Sequence, residues 1–75
     1  MQTVSVKGSI RLDRFLKWAG MAGSGGQAKV IIQSGMVKVN GEKTINRGKM
    51  LNQGDEVSLE DSGIFRVVYG AGEKE

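Results

Sequence analysis

Cysteine, histidine and proline are absent from this chain of 75 residues, and aromatic residues make up only 5% of it. Without cysteine, neither disulfides nor thiolate–metal sites can supplement the small core that so short a chain can bury. Without histidine, the commonest general base and metal ligand is missing. These absences exclude most familiar catalytic and metal-binding constellations.

Long hydrophobic stretches are lacking too. The longest unbroken aliphatic run covers residues 30–32, whereas a membrane-spanning helix needs about 20 apolar residues. Residues 1–7 contain no apolar run of the kind that a secretory signal requires. We therefore expect a cytoplasmic protein that does not cross a membrane.

Charge is distributed unevenly along the chain. Overall, 11 basic residues outnumber 8 acidic ones, which gives a net charge of +3. Residues 7–49 hold nine basic and two acidic residues, a net +7, whereas residues 50–75 hold two basic and six acidic residues, a net −4. Lysines that only confer solubility are the simpler interpretation, but the asymmetry favours a polyanionic partner for residues 7–49.

Two pairs of neighbouring carboxylates, Asp55/Glu56 and Glu60/Asp61, are the candidates for acid–base or metal chemistry. Adjacent residues on a strand point to opposite faces, so neither pair is preassembled to hold an ion or share a proton. We expect them to serve turns and the solvent face. A minimal metal or acid–base enzyme is the weakest alternative, and we expect neither catalysis nor a cofactor.

The first part of the chain predicts an edge strand followed by a helix. Alternating valines within residues 3–7 favour the strand. Ser9 occupies an N-cap position for a helix over residues 10–19, which Gly20 ends. The helix has a core-facing stripe at helical spacing, formed by Leu12, Phe15, Leu16 and Ala19.

The other side of this helix is basic, with Arg11, Arg14 and Lys17 around Trp18. A tryptophan here could stack on an unpaired base, but at the edge of a small core it is more often a packing residue. We expect packing.

A second helix is predicted from Ser24, because Gln27 three positions later completes a capping box in which each side chain bonds the other residue's backbone N–H. Gly25 and Gly26 occupy the first turn. They either leave backbone N–H groups open to an RNA phosphate or only permit a tight turn. Gly35 stands where a left-handed residue would end this helix, giving a helix–turn–helix hairpin.

The remainder predicts three or four antiparallel strands, which makes the fold α+β. Asn40-Gly41 is a strong hairpin signal between alternating segments. Gly48 and Gly54-Asp55 mark turns, and residues 64–69 form a last apolar strand in which Phe65 and Tyr69 should lie in the core.

Several segments together resemble the S-four RNA-binding domain, also called the alpha-L motif. The resemblance is carried by Arg-Leu-Asp at residues 11–13, the serine at 24, and Gly-x-Val-x-Val-Asn-Gly at residues 35–41. It extends over residues 10–59 and implies a two-helix hairpin packed on a small antiparallel sheet of about three to five strands. A single domain at residues 1–69 with a flexible tail at residues 70–75 would then be a free-standing, small bacterial member of this family.

The resemblance implies recognition of structured RNA by shape, most simply ribosomal RNA or a ribosomal subunit, by a monomer acting in ribosome assembly or translation. Many members place an RNA-contacting arginine after the serine, but this chain has Gly25, so backbone N–H groups or Lys29 must substitute. Arg11 either contacts RNA or pairs with Asp13 as part of the scaffold. The candidate RNA-binding residues are Arg11, Arg14, Lys17, Ser24, Gly25, Gly26, Lys29, Lys38, Asn40, Lys43, Arg47 and Lys49.

A β-grasp carrier or protein-interaction module is the main alternative, because residues 37–42 and 51–59 also resemble the strand–turn pattern of small sulfur carriers. Such carriers need a C-terminal Gly-Gly, whereas this chain ends in Gly-Ala-Gly-Glu-Lys-Glu. They also begin with two strands and one helix rather than with a two-helix hairpin.

Overall fold

Two helices lie among seven strands in residues 2–60 and 62–70, the part of the chain that the computed structural model describes. The predicted α+β class is confirmed, whereas the tail predicted at residues 70–75 lies, beyond Gly70, outside the described residues. The helices are α1 (Leu12–Trp18) and α2 (Gly25–Gln33), and the strands are β1 (Gln2–Val6), β2 (Ile10–Arg11), β3 (Val37–Val39), β4 (Glu42–Lys43), β5 (Met50–Leu51), β6 (Glu56–Leu59) and β7 (Gly63–Tyr69).

Five of the strands form one sheet in the order β1-β7-β6-β3-β4, and β2 pairs with β5 separately. β1 lies at the predicted edge, but it runs parallel to β7, so the expectation of a purely antiparallel sheet is wrong. Parallel neighbours need a long crossover. The whole helical hairpin and the remaining strands separate β1 from β7 and supply that crossover, which no local turn signal could reveal.

The hydrophobic core lies between the helix pair and one face of this sheet. The α1 side chains of Leu12, Phe15 and Leu16 are fully buried, as the helical spacing predicts, and Ala19 packs partly buried against them. Each large side chain removed from water contributes roughly 1.5–3 kcal/mol. The core therefore fixes the opposite side of α1 toward solvent.

Ser9 does not cap α1, contrary to the sequence-based expectation. Residues 10–11 form strand β2, and the N-cap is Arg11, which makes no side-chain cap. The Ser9 hydroxyl instead donates to Asn52 Oδ1 at 3.0 Å and lies 3.2 Å from the Tyr69 hydroxyl. Phe65 is buried as expected, but the prediction of a core position for Tyr69 is wrong, because the residue is 36% exposed and its hydroxyl joins this polar network.

The start of α2 is capped much as predicted. Ser24 Oγ accepts the N–H of Gln27 at 3.1 Å, but Gln27 Oε1 accepts the N–H of Gly23 at 2.6 Å rather than that of Ser24. Gly35 adopts a φ of 83° after the helix, which confirms the predicted left-handed end. Neither described helix is long and apolar enough to cross a membrane.

The Asn40-Gly41 turn joins β3 and β4, as predicted, with φ values of 53° and 86°. Positive φ at both central residues is the geometry that a two-residue hairpin requires. Gly54, which has a φ of 88°, lies in the predicted turn between β5 and β6. The residues of these turns therefore determine the β3–β4 hairpin and the turn that precedes β6.

Candidate functional site

A groove of about 620 Å³ follows the exposed side of α1 and reaches the start of α2. We call it the helix groove. Arg11, Arg14 and Lys17 line it together with Gly25. Their spacing of three residues places the cations on one side of the helix, opposite the buried stripe that packs on the sheet. The structure thus brings together four of the residues predicted from the sequence.

Asp13 is the carboxylate of this groove, and its side chain is tied down. The residue is only 8% exposed, and its Oδ2 lies 3.0 Å from the Arg11 guanidinium while its Oδ1 accepts the backbone N–H of Arg14 at 2.8 Å. The scaffold role considered for Arg11 is therefore present, yet its side chain remains 46% exposed. Arg11 can hold α1 and still present charge to a ligand.

The loop before β5 docks on the beginning of α1. The backbone N–H of Leu12 donates to the carbonyl of Lys49 at 2.8 Å, and that of Asp13 donates to the carbonyl of Arg47 at 3.1 Å. These bonds occupy two of the helix N–H groups that otherwise lack partners. They also bring Arg47 and Lys49, which are distant in sequence and exposed, next to α1. No local pattern predicts this docking.

The first turn of α2 is open to solvent at Gly25 and Gly26. Neither glycine has a positive φ, and a Cβ at Gly25 would meet nothing within 4 Å, while one at Gly26 would come no nearer than 3.9 Å to Ser24 Oγ. The tight-turn interpretation therefore does not require glycine here, since the left-handed turn residue lies earlier, at Gly20. Lys29 follows Gly25 by four residues and so lies on the same side of α2.

The hairpin lysines lie elsewhere. Lys38 is directly opposite Lys43 in the β3–β4 pair and opposite Ser58 in β6, on the face of the sheet turned away from the buried Val37 and Val39. Like charges directly opposite each other destabilise a strand pair. Neither lysine lines the helix groove, so these two residues form a group separate from Arg11, Arg14 and Lys17.

Asn40 has a structural position. Its Nδ2 donates to Asp55 Oδ1 at 3.1 Å, and its Oδ1 accepts the backbone N–H of Glu56 at 2.9 Å. Both polar atoms of the side chain therefore hold the hairpin turn to the Gly54-Asp55 turn. The expected RNA contact of this residue gains no support from the geometry.

The carboxylates take the turn and surface roles expected of them where they are described. Asp55 Oδ2 also accepts the N–H of Asn52 at 2.8 Å, and Glu56 pairs with Arg66 at 2.8 Å. Asp61 lies outside the described residues. Among the described residues, no group of three or more acidic side chains could hold a metal ion.

Trp18 does not pack in the core, contrary to the expectation. Its side chain is 61% exposed, and its indole N–H donates to the carbonyl of Ser5 at 2.9 Å. Sequence reasoning also missed Met50, which is 48% exposed beside it in a second groove. The register of β2 with β5 places Met50 there, and that long-range pairing has no local sequence signal.

Comparisons with known proteins identify related sequences. The family profile described as S4 domain matches residues 4–68. The chain is also similar to a protein of Bacillus subtilis (strain 168) named probable ribosome maturation protein RlbA. The two are 44% identical over 59 residues, which cover 79% of this chain and 83% of the relative. The β-grasp alternative is not supported, because β1 and β2 pair with different strands and two helices follow them.

Proposed function

Because this chain belongs to the S4 domain family, we propose that it is a non-catalytic RNA-binding protein whose helix groove recognises structured RNA. The observation that supports this most directly is the shared position of Arg11, Arg14 and Lys17 beside the start of α2. Several cations on one surface attract phosphates at any RNA sequence. Membership of the S4 domain family supports RNA as the ligand, and the helix groove is the surface that we propose for its binding.

The rest of the interface extends from this groove. Exposed side chains of Arg47 and Lys49 flank the beginning of α1, and Lys29 continues along α2. Ser24 caps α2 so that the backbone N–H groups of Gly25 and Gly26 can meet a phosphate, which the helix dipole also favours. These groups position a backbone rather than read base edges, so recognition depends on RNA shape.

The hairpin lysines make a second contact in this proposal. Lys38 and Lys43 face each other at a cost in sheet stability, and a bound phosphate would neutralise that repulsion. We assign the helix pair and its sheet to the alpha-L motif, as the family implies. Both contacts would then engage different parts of one folded RNA.

Ribosomal RNA is the RNA that we propose. The support is the similarity to a relative whose name describes ribosome maturation, which makes a ribosomal precursor or subunit in the cytoplasm the natural partner. The protein acts as a monomer in this proposal, and its task is to hold RNA during assembly or translation.

Titration of a structured ribosomal RNA fragment at several salt concentrations tests the proposal. If the protein neutralises about five phosphates, log affinity should fall against log salt with a slope of roughly −3.5 to −4.5. The variant Arg14→Gln should bind more weakly and make this slope less negative by roughly 0.7 to 0.9, because one phosphate contact is lost.

Arg66→Gln is the matched control, because it removes the same charge from an exposed arginine that pairs with Glu56 and lines neither groove. Its salt slope should equal that of the unchanged protein. Absence of binding at low salt, or equal losses in the two variants, would contradict the proposal.

A further inference from the structure

The second groove, which we call the tryptophan groove, combines an apolar surface with a basic rim. Trp18, Met50 and Ile10 contribute apolar groups. Basic side chains border them at Lys7, Arg11 and Arg14. Its volume of about 530 Å³ lies within the range of roughly 300–1,000 Å³ that is usual for small-ligand sites. A flat aromatic group bearing a negative charge matches this combination.

Trp18 is held in place although it is exposed. Its hydrogen bond to the Ser5 carbonyl fixes the indole against the edge strand β1, and 61% of the residue still faces solvent. Met50 lies opposite Arg11 in the β2–β5 pair, which fixes the other apolar wall. A preorganised aromatic surface loses little side-chain entropy when a ligand stacks on it.

The two grooves are continuous. Ile10, Arg11, Arg14 and Trp18 line both of them. An RNA backbone that follows the cations of the helix groove therefore passes beside the indole. The described carboxylate in this region, Asp13, is already bonded to Arg11. The rim of the groove therefore presents a net positive surface to the RNA.

We propose that the tryptophan groove takes one unpaired base of the bound RNA, stacked on Trp18, with its phosphate on Arg14. The inference rests on the proposed function and adds to it a preference for RNA with an extruded nucleotide. Bases stack on exposed aromatic side chains regardless of sequence, so the preference is for an unpaired position rather than for one base. An acidic peptide with an aromatic side chain could use the same chemistry, and the fluorescence of Trp18 distinguishes the two ligands.

A blunt RNA duplex and the same duplex with a single bulged adenosine are the probes. Trp18 is the only tryptophan of the chain, so its fluorescence reports contact directly. We expect the bulged RNA to quench this fluorescence and to bind more tightly than the blunt duplex. Trp18→Leu should weaken binding of the bulged RNA by about 5- to 160-fold, the range of base–aromatic stacking, and should weaken binding of the blunt duplex much less.

Trp18→Phe separates stacking from the hydrogen bond of the indole, because phenylalanine keeps an aromatic face and loses only the N–H donor. It should retain most of the preference for the bulge. Ile64→Ala is the matched control, since Ile64 is also an exposed apolar residue, at 43%, and lines neither groove. Circular dichroism melting of each variant establishes that it is folded.

Three results would overturn the inference. Binding of both RNAs with equal affinity and without quenching would leave the proposed function standing and remove this site. So would quenching by a peptide of alternating glutamate and phenylalanine but not by the bulged RNA, which would make the groove a protein site. Failure of the unchanged protein to bind either RNA would overturn the proposed function, and this inference with it.

Discussion

The Arg11 side chain both contacts Asp13 within the fold and lines the exposed helix groove. One guanidinium nitrogen lies 3.0 Å from Asp13 Oδ2, while the side chain stays 46% exposed in the helix groove. The pair is exposed on the arginine side alone, because Asp13 is only 8% exposed, and loss of the guanidinium would leave a buried carboxylate without its charge partner. The contact with Asp13 therefore stabilises the start of α1 and also holds the guanidinium in the helix groove.

The prediction for Arg11→Gln follows from this balance. The free energy of unfolding should fall by about 1–3 kcal/mol, because the buried Asp13 carboxylate loses its charge partner, and the salt slope of RNA binding should become less negative by about 1. Urea unfolding and RNA titration measure the two quantities. Arg66→Gln serves as the control because Arg66 is exposed to the same extent, at 45%, whereas its partner Glu56 is 35% exposed, so that its loss should cost little stability. A loss of stability with an unchanged salt slope would show that Arg11 is scaffold alone.

At the scale of elements, the start of α2 carries a cost that the fold does not explain. Gly25 and Gly26 occupy the first turn of a capped helix, where neither the backbone angles nor crowding require glycine. Glycine loses more conformational freedom on folding than alanine, which costs about 0.5–1 kcal/mol in a helix. Close approach of a phosphate to the backbone is a physical reason for accepting that cost.

Stability and binding should therefore move in opposite directions in the double variant Gly25→Ala/Gly26→Ala. We expect the free energy of unfolding to rise by about 1 kcal/mol and the affinity for RNA to fall, because two methyl groups keep the phosphate away from the N–H groups. Thermal unfolding and RNA titration on the same preparation check both. A more stable variant that binds RNA unchanged would return these glycines to a purely structural interpretation.

Sequence reasoning succeeded where the signal is local. The capped start of α2, the left-handed Gly35 and the Asn40-Gly41 turn each depend on neighbouring residues, and all are present. The sequence-based predictions failed where pairing with a distant strand determines the local structure. Ser9 looks like a helix cap until β5 pairs with Ile10–Arg11. The grouping of Arg11, Arg14 and Lys17 was predicted from their local spacing, whereas the docking of residues 47–49 on the start of α1 was not, because it depends on the distant strand β5.

At the scale of the whole molecule, position on the surface should matter more than total charge. Two groups of basic residues can be compared, Arg11, Arg14 and Lys17 in the helix groove and Lys38 and Lys43 on the outer face of the β3–β4 hairpin. The double variants Arg14→Gln/Lys17→Gln and Lys38→Gln/Lys43→Gln each lower the net charge from +3 to +1. If attraction by net charge governed binding, both variants would lose affinity equally.

We expect unequal losses. Arg14→Gln/Lys17→Gln should make the salt slope less negative by roughly 1.4 to 1.8. It should also give the larger loss of affinity, because it removes two of the three cations that line the helix groove. Lys38→Gln/Lys43→Gln should give the smaller loss and raise the free energy of unfolding by about 0.2–1 kcal/mol, since opposed lysines no longer repel. RNA titrations at matched salt and urea unfolding measure both effects. Equal losses would show that the protein's overall field, and not the helix groove, attracts RNA.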